Sequence, residues 1–462
     1  MGSSADGGAT GAAETTGAGS AHPAGLREVG RALLSIALPV LPVLAAEPLY
    51  LLVDGVVVGR LGEGELAALG VGSLVLLVLG TQMNFLSYGT TARSARLHGA
   101  GREREAVAEG VQATWIALAV GLLVVAAVEL SMGPLTRALA ADDAVAARAA
   151  DWLHVAVWGI PLVLVSSAGN GWMRGVQRMR VPLVLVVSGV ALSVLGCLAL
   201  VPGWGPAPAL GLRGSAVANL AGQAVMATGF LVALVRARPG SLLPDRAVIV
   251  SQLRMGLDLV VRTASFQVTF AVATSTAAVA GVATLGAHHL AQQTWSLFTL
   301  VLDSVAVAAQ SLVGAALGAG LAARGRALAR AVVVWSLGLG VVLAVATALL
   351  RHQIAAALTS EPAVAERLEV ALTAMALVLV PAALVFGLDG VLLGAGDTAY
   401  LRTTTICTAF GCFLPVLLLA HHFRWGLPGI WAGMGAFVLG RLVAVGLRTR
   451  GPRWTVTGDR VP

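Results

Sequence analysis

The sequence predicts an all-α polytopic membrane protein with twelve transmembrane helices in two six-helix lobes related by pseudo-two-fold symmetry. Three observations carry this prediction. The 462 residues are 57% hydrophobic and 11% charged, with a mean hydropathy of +0.86, a balance that a water-soluble domain of this length does not tolerate. Apolar runs of about 20 residues recur between short arginine-bearing loops, the pattern of spanning helices and not of alternating barrel strands about 10 residues long. Short glycine motifs from the first half also return, in order, in the second.

The first span, 32–58, is apolar except for Glu47 and Asp54, and it contains Pro39 and Pro48. The second, 66–92, carries Gln82 and Asn84 and leads into Arg93, Arg96, Arg102 and Arg104. The third, 108–131, runs out to Asp142 and Asp143, and the fourth, 149–170, ends at Asn170 ahead of Arg174, Arg178 and Arg180. The fifth, 182–202, and the sixth, 212–235, complete the first lobe, with Asn219 and Gln223 in the sixth. In the second lobe, 256–282 holds Arg262 and Gln267, and 287–314 opens on His288 and His289 and holds Gln292, Gln293, Asp303 and Gln310. The spans 328–350, 368–394 with Asp389, 402–420 and 427–447 follow.

Every Lys-or-Arg cation of this chain is an arginine, and the arginines concentrate after the second, fourth, sixth and eighth spans. Positive loops face the cytoplasm, so those loops and both termini are expected there. The opposite loops carry Asp142, Asp143, Glu361 and Glu366. The pI near 10.5 is spread along loops instead of forming one patch, so it marks topology and not a nucleic-acid partner. The expected layout is a disordered tail over 1–25, rich in Gly, Ala, Ser and Thr; an amino-terminal lobe, 26–236; a cytoplasmic linker, 237–254, with Pro239 and Pro244; a carboxy-terminal lobe, 255–448; and a cytoplasmic tail, 449–462.

The internal repeat supports the division. Leu61-Gly62-x-x-x-Leu66-Ala67 recurs as Leu285-Gly286-x-x-x-Leu290-Ala291, and Gly99-Ala100-Gly101 as Gly318-Ala319-Gly320. Gly171-x-x-x-Gly175 is answered by Gly390-x-x-x-Gly394, and Gly211-Leu-Arg-Gly214 by Gly426-Leu-Pro-Gly429. Six spans per half give both halves the same orientation, so the relating axis runs along the membrane normal. Parallel repeats of this kind are a transporter architecture with the substrate site between lobes.

Glu47 and Asp54 are the most informative residues. An ionised group at the bilayer centre costs roughly 2.5–3.5 kcal/mol on insertion scales, so such groups face a bundle interior or a water-filled cavity. Their spacing of two helical turns puts both on one helix face. Pro48 has no N–H for the carbonyl of Leu44, which weakens the helix beside Glu47. Cys197, Cys407 and Cys412 form no CxxC pair and read as small buried hydrophobes; no metal site is expected.

These residues resemble the multidrug and toxic compound extrusion (MATE) transporters, most closely the DinF-like branch, over about residues 30–450. The resemblance rests on Leu38-Pro39 with Val53-Asp54-x-x-x-x-Gly59-x-x-Gly62, and on Leu302-Asp303-Ser-Val-Ala-x-Ala-Ala-Gln310-Ser-Leu-Val-Gly314. Phe386-Gly-Leu-Asp389-Gly-x-x-x-Gly394-Ala-Gly-Asp397, and Gly426-x-x-Gly429-Ile-Trp431-Ala-Gly with Arg441, complete it. It implies export of organic, often cationic compounds in exchange for protons or sodium, by two lobes rocking about a central cavity. It makes Asp54 the ion-linked residue and Pro39 a bending point. Two departures stand out. The fifth-helix Asn-x-x-x-Asp pattern of some members reads Ser193-Val-Leu-Gly-Cys197 here, and the tenth-helix carboxylate of sodium-linked members falls on Ala382.

Beside the missing acid, Glu47 is open to two readings: a replacement partner for Asp54, or a packing residue bonded to Gln223 or Asn219. Asp303 is expected to pair with Arg262, and Asp389 is left open. Gln82, Asn84, Asn170, Asn219, Gln223, Arg262, Gln267, Asp303 and Asp389 are candidate cavity residues, with interhelical hydrogen bonding as the alternative for each polar one. His288 and His289 are expected at the membrane interface, and Trp204, Trp425 and Trp454 read as interfacial anchors. The expected function is a proton-coupled antiporter in the cytoplasmic membrane, monomeric, with the proton as coupling ion, no other cofactor and no enzymatic activity. A sodium-coupled exporter and a lipid-linked oligosaccharide flippase are the rivals. Nothing resembling a nucleophile with its base, a paired Asp-rich metal motif or a phosphate-cradling loop occurs.

Overall fold

A computed structural model describes residues 26–205 and 208–458. The expected tail over 1–25 lies outside the described residues. The chain runs through helices α1 (Leu26–Gly59), α2 (Glu63–Met83), α3 (Phe85–Gly99), α4 (Glu103–Leu139), α5 (Asp143–Ala156), α6 (Gly159–Gly175), α7 (Arg180–Leu200) and α8 (Leu212–Arg236). The second half contains α9 (Arg246–Val279), α10 (Val282–Gly318), α11 (Ala322–Leu358), α12 (Pro362–Ala395), α13 (Thr398–Thr408), a π-helical turn (Ala409–Phe413), α14 (Leu414–His422) and α15 (Gly426–Arg450).

Among the described residues ten helical runs are long and apolar enough to cross a membrane, and the pair α5 and α6, bent by 43°, makes an eleventh. α2 with α3 and α13 with α14 each count as one span. The twelfth is α9, which is long enough but carries Arg254, Asp258 and Arg262. Its start at Arg246 makes 246–254 helical, so the connection between lobes is shorter than the linker read from the sequence. The side chain of Asp245 caps α9 by accepting from the amides of Ala247 and Val248, and Asp142 caps α5 by accepting from Val145 at 2.8 Å.

The two-fold relation shows in matched glycine contacts. Gly171 and Gly175 of α6 lie against the backbones of Ser87 and Thr91 in α3, and Gly390 and Gly394 of α12 lie against Ala306 and Gln310 in α10. Each partner in the second set stands 219 residues after its counterpart. A Cβ at any of the four would meet backbone, which has nowhere to yield. One repeat shifts its register: the structural counterpart of Gly62, a positive-φ residue opening α2, is Gly281, which opens α10 in the same way, and not Gly286. The Leu-Gly-x-x-x-Leu-Ala match is a coincidence of small residues five positions out of phase.

The lobes meet along α1, α3 and α10. At the arginine-rich end, Gly99 lies against the backbone of Ala315 and Gly318 against that of Arg96. The helices extend past the expected span ends here. Arg96 and Arg174, read as loop residues, lie inside α3 and α6 at 0% and 5% exposure. Arg96 donates to the carbonyls of Ala395 and Gly458, at 2.6 and 3.2 Å. Trp454 is buried against the core of α1, α10 and α11 instead of marking an interface. α1 is one uninterrupted helix that accommodates Pro39, Pro42 and Pro48.

Candidate functional site

A cavity of about 850 Å³ lies within the amino-terminal lobe, walled by α1, α2, α3 and α5 to α8, and touched by Leu300 and Asp303 of α10. Most of its wall is Leu, Val, Met and Gly, so the few polar groups stand out against an apolar surface. Glu47, Asp54, Asn84, Asn170, Asn219, Gln223 and Asp303 all contribute to this wall.

Asp54 is 1% exposed. Its Oδ2 accepts from the Ser215 hydroxyl at 3.0 Å and its Oδ1 from the Cys197 thiol at 3.2 Å. The Ser215 hydroxyl oxygen in turn accepts from the Trp152 indole N–H at 3.2 Å. The relay therefore joins α5, α8, α1 and α7 through one carboxylate. Gly214 makes this possible, because α8 closes onto the carbonyl of Leu200 where a Cβ would block it. That contact brings Ser215 and Cys197 to the same side chain. No Arg or His forms an ion pair with Asp54 among the described residues. Protonation would turn one acceptor oxygen into a donor, so one of the two bonded donors would have to turn away.

Glu47, two turns earlier on α1, faces the cavity and is exposed within it. It makes no hydrogen bond with Gln223 or Asn219, which corrects the packing alternative. Asn219 instead interacts with Tyr50, whose hydroxyl also reaches the Ser215 carbonyl at 3.5 Å. Pro39 and Pro48 do not line the cavity.

Four candidate cavity residues lie outside this lining: Gln82, Arg262, Gln267 and Asp389. The reason is clearest for Arg262 and Asp389. Asp389 Oδ2 accepts from both Arg262 and Arg441, each at 2.6 Å, and Arg441 also stacks over Phe266 and Phe437. The triad closes the charges on themselves inside the carboxy-terminal lobe. The expected Arg262–Asp303 pair does not form; Asp303 accepts from the Tyr88 hydroxyl at 2.6 Å. Gln82 keeps a buried amide oxygen without a partner among the described residues and is not part of the cavity lining. His288 is 2% exposed and packs edge-on against Trp431, so it is a core residue and not an interfacial one.

Sequence reasoning missed Tyr50, Trp152, Arg174, Cys197 and Ser215 as wall or relay residues. Ser215 directly follows a repeat motif and Cys197 stands where the resemblance expects an acid, so both had a positional signal. Trp152 and Tyr50 had none, since an aromatic within an apolar span reads as core.

The MatE family pattern matches residues 39–198 and 259–419. Over 447 residues the chain is 29% identical to Protein DETOXIFICATION 44, chloroplastic, of Arabidopsis thaliana, covering 91% of this chain and 82% of that protein. It is 27% identical over 439 residues to the multidrug resistance protein MdtK of Yersinia pestis, covering 92% and 95%. The fold superposes on the Vibrio cholerae MATE transporter VcmN in its bent form with a TM-score of 0.84 at 20% identity, covering 92% of this chain and 97% of that one.

Proposed function

The chain belongs to the MATE family, a multi-pass membrane transporter family, and from that premise we propose that it is a proton-coupled antiporter of the DinF-like branch. It exports organic cations by alternating access across the cytoplasmic membrane, with both termini inside. The observation that carries the reading is the environment of Asp54: a buried carboxylate in a cavity wall, held by two neutral donors and, among the described residues, by no cation.

A proton and a cationic cargo compete in such a site, because protonation removes the charge that attracts the cargo. Competition becomes exchange only if each ligand favours a different lobe arrangement. The Trp152–Ser215–Asp54–Cys197 relay supports this coupling, since a change at Asp54 alters a bond to α7 or α8. Here α3 packs on α10 at the arginine-rich end, which supports an outward-facing state closed toward the cytoplasm. Glu47 adds negative charge facing the cavity where a cation would enter.

The test is transport of ethidium into proteoliposomes under an imposed pH gradient or sodium gradient. The expected result is uptake driven by the pH gradient and unaffected by sodium. Uptake that follows sodium alone would replace the proton in this reading.

A further inference from the structure

The inner part of the cavity wall is built differently from the Asp54 region. Ser166, Asn170 and Arg174 stand at four-residue intervals on α6, so they form one stripe along its face. Ser87 of α3 stands beside them, because Gly171 packs directly on its backbone. Each of the four contributes to the cavity lining. Each also has a buried polar atom with no partner among the described residues: the Ser87 and Ser166 hydroxyls, the Asn170 amide oxygen and the Arg174 Nε. Buried polar groups are normally paired, and three of these, the two hydroxyls and Arg174 Nε, can donate, so the patch points to a ligand that accepts.

The charges identify its sign. Of the three guanidinium groups near Asp303 and Asp389, Arg174 lies in the cavity lining, whereas Arg262 and Arg441 sit outside it in the carboxy-terminal lobe. Asp389 takes both Arg262 and Arg441, and Asp303 takes the Tyr88 hydroxyl. Asp303 lies within electrostatic reach of Arg174 but forms neither a hydrogen bond nor an ion pair with it. Arg174 is therefore a 5%-exposed cation without a bonded anion among the described residues. A buried guanidinium is costly unless an acceptor meets it, and its planar fork fits a carboxylate, sulfonate or phosphate.

We propose that Ser87, Ser166, Asn170 and Arg174 form an oxyanion subsite, so that the exported molecule carries an acidic group as well as a cationic one. The proposal rests on the exporter reading and deepens it. Glu47 attracts the positive end of the cargo; the α6 stripe holds the negative end. The hydroxyls and the Asn170 amide, whose N–H₂ donates, complete the donor set around the guanidinium. An acidic group bound here also shields Arg174 from Asp303 at the lobe seam, next to the Tyr88 contact.

The experiment measures thermal unfolding of the full chain in detergent during titration with benzoate, with neutral benzamide and with chloride, at constant pH and ionic strength. Benzoate should stabilise the protein in a saturable manner, whereas benzamide should not. Arg174→Gln should weaken the benzoate effect by roughly tenfold or more, and Arg174→Lys should retain part of it. If Arg174→Gln does not fold, Ser166→Leu, which removes a donor without touching the charge, should weaken benzoate severalfold. Equal stabilisation by benzamide, an undiminished benzoate effect in both Arg174→Gln and Ser166→Leu, or chloride acting as well as benzoate would overturn the oxyanion subsite. A further arm compares pH-driven uptake of a rhodamine dye as its free carboxylate and as its methyl ester. Binding of benzoate without pH-driven uptake of either dye would sink the exporter reading alone. Equal uptake of both dyes, together with no benzoate effect, would sink the subsite alone.

Discussion

The Tyr88 hydroxyl on α3 donates to Oδ2 of Asp303 on α10 at 2.6 Å, joining the amino-terminal lobe to the carboxy-terminal lobe at the edge of the cavity. The Gln310 amide donates to the Tyr88 carbonyl at 2.7 Å, and the Ser311 hydroxyl to the Arg174 carbonyl at 2.9 Å, so the same seam is bonded through backbone as well. Hydrogen bonds to charged groups contribute about 1.5–3 kcal/mol. The seam must open for the cavity to face the arginine-rich end. Tyr88→Phe should therefore raise the population open at that end by roughly tenfold or more. Electron–electron distance measurements between labels at Arg102→Cys and Arg324→Cys, with Cys407→Ser and Cys412→Ser, would read the shift. An unchanged distance distribution would show that the bond does not hold the lobes.

Asp54 gives the prediction on coupling. Asp54→Asn keeps an oxygen acceptor for one donor and loses the titratable charge, so the fold should persist while pH-driven export falls to background. Proteoliposome transport and a thermal melt, read together, check both halves. Wild-type transport by Asp54→Asn would place the coupling residue elsewhere.

Ser215→Ala separates the relay from the carboxylate. It leaves both the Trp152 indole N–H and one Asp54 oxygen buried without a partner. Each orphaned buried group costs about 1–3 kcal/mol, so the melt should fall by several degrees, more than for Cys197→Ala, which removes one weak S–H donor. An equal or smaller loss for Ser215→Ala would mean that the indole finds another acceptor.

The glycine pairs explain how much of this architecture was legible in the sequence. Gly171-x-x-x-Gly175 and Gly390-x-x-x-Gly394 were readable because close helix packing demands small residues at fixed spacing. Span number followed from hydropathy, and the lobe division from the glycine repeats and the basic midpoint connection. Arg96 and Arg174 were misplaced for the same physical reason: positive-inside counting treats arginines beyond an apolar run as loop residues, whereas α3 and α6 continue as helix and bury them against the opposite lobe. The partner of Asp303 was equally out of reach, since a one-dimensional pattern offers Arg262 to both aspartates and only the geometry gives it to Asp389.

The symmetric packing predicts matched costs. Gly171→Val and Gly390→Val each place side-chain carbons against backbone, of Ser87 and Ala306 respectively. Overpacking typically costs about 1–3 kcal/mol, and more where backbone must move. Both variants should melt well below wild type and by similar amounts. Gly133→Val, where a Cβ meets nothing within 4 Å, serves as the tolerated control.

The chain beyond α15 supplies the last prediction. Trp454 is 2% exposed and donates from its indole to the Thr449 carbonyl at 2.9 Å, which folds the segment back under the bundle. From there the Gly458 amide donates to the Leu317 carbonyl of α10 at 3.1 Å, and the Gly458 carbonyl accepts from Arg96 of α3 at 3.2 Å. One short strand of backbone thus touches both lobes where they are closest. Trp454→Ala removes a buried indole, a change that costs about 3–5 kcal/mol in a packed core, and it also frees the segment that Arg96 grips. Arg96→Gln keeps the core packing but loses a charged donor shared between the lobes. The first variant should lower the melting temperature strongly. The second should leave more of that stability intact while shifting the labels at 102 and 324 apart, because its hydrogen bonds cross the seam directly whereas the tryptophan's hydrogen bond is to Thr449. If both variants lower stability equally and neither moves the labels, the segment is a plain extension of the carboxy-terminal core with no hold on the opposite lobe.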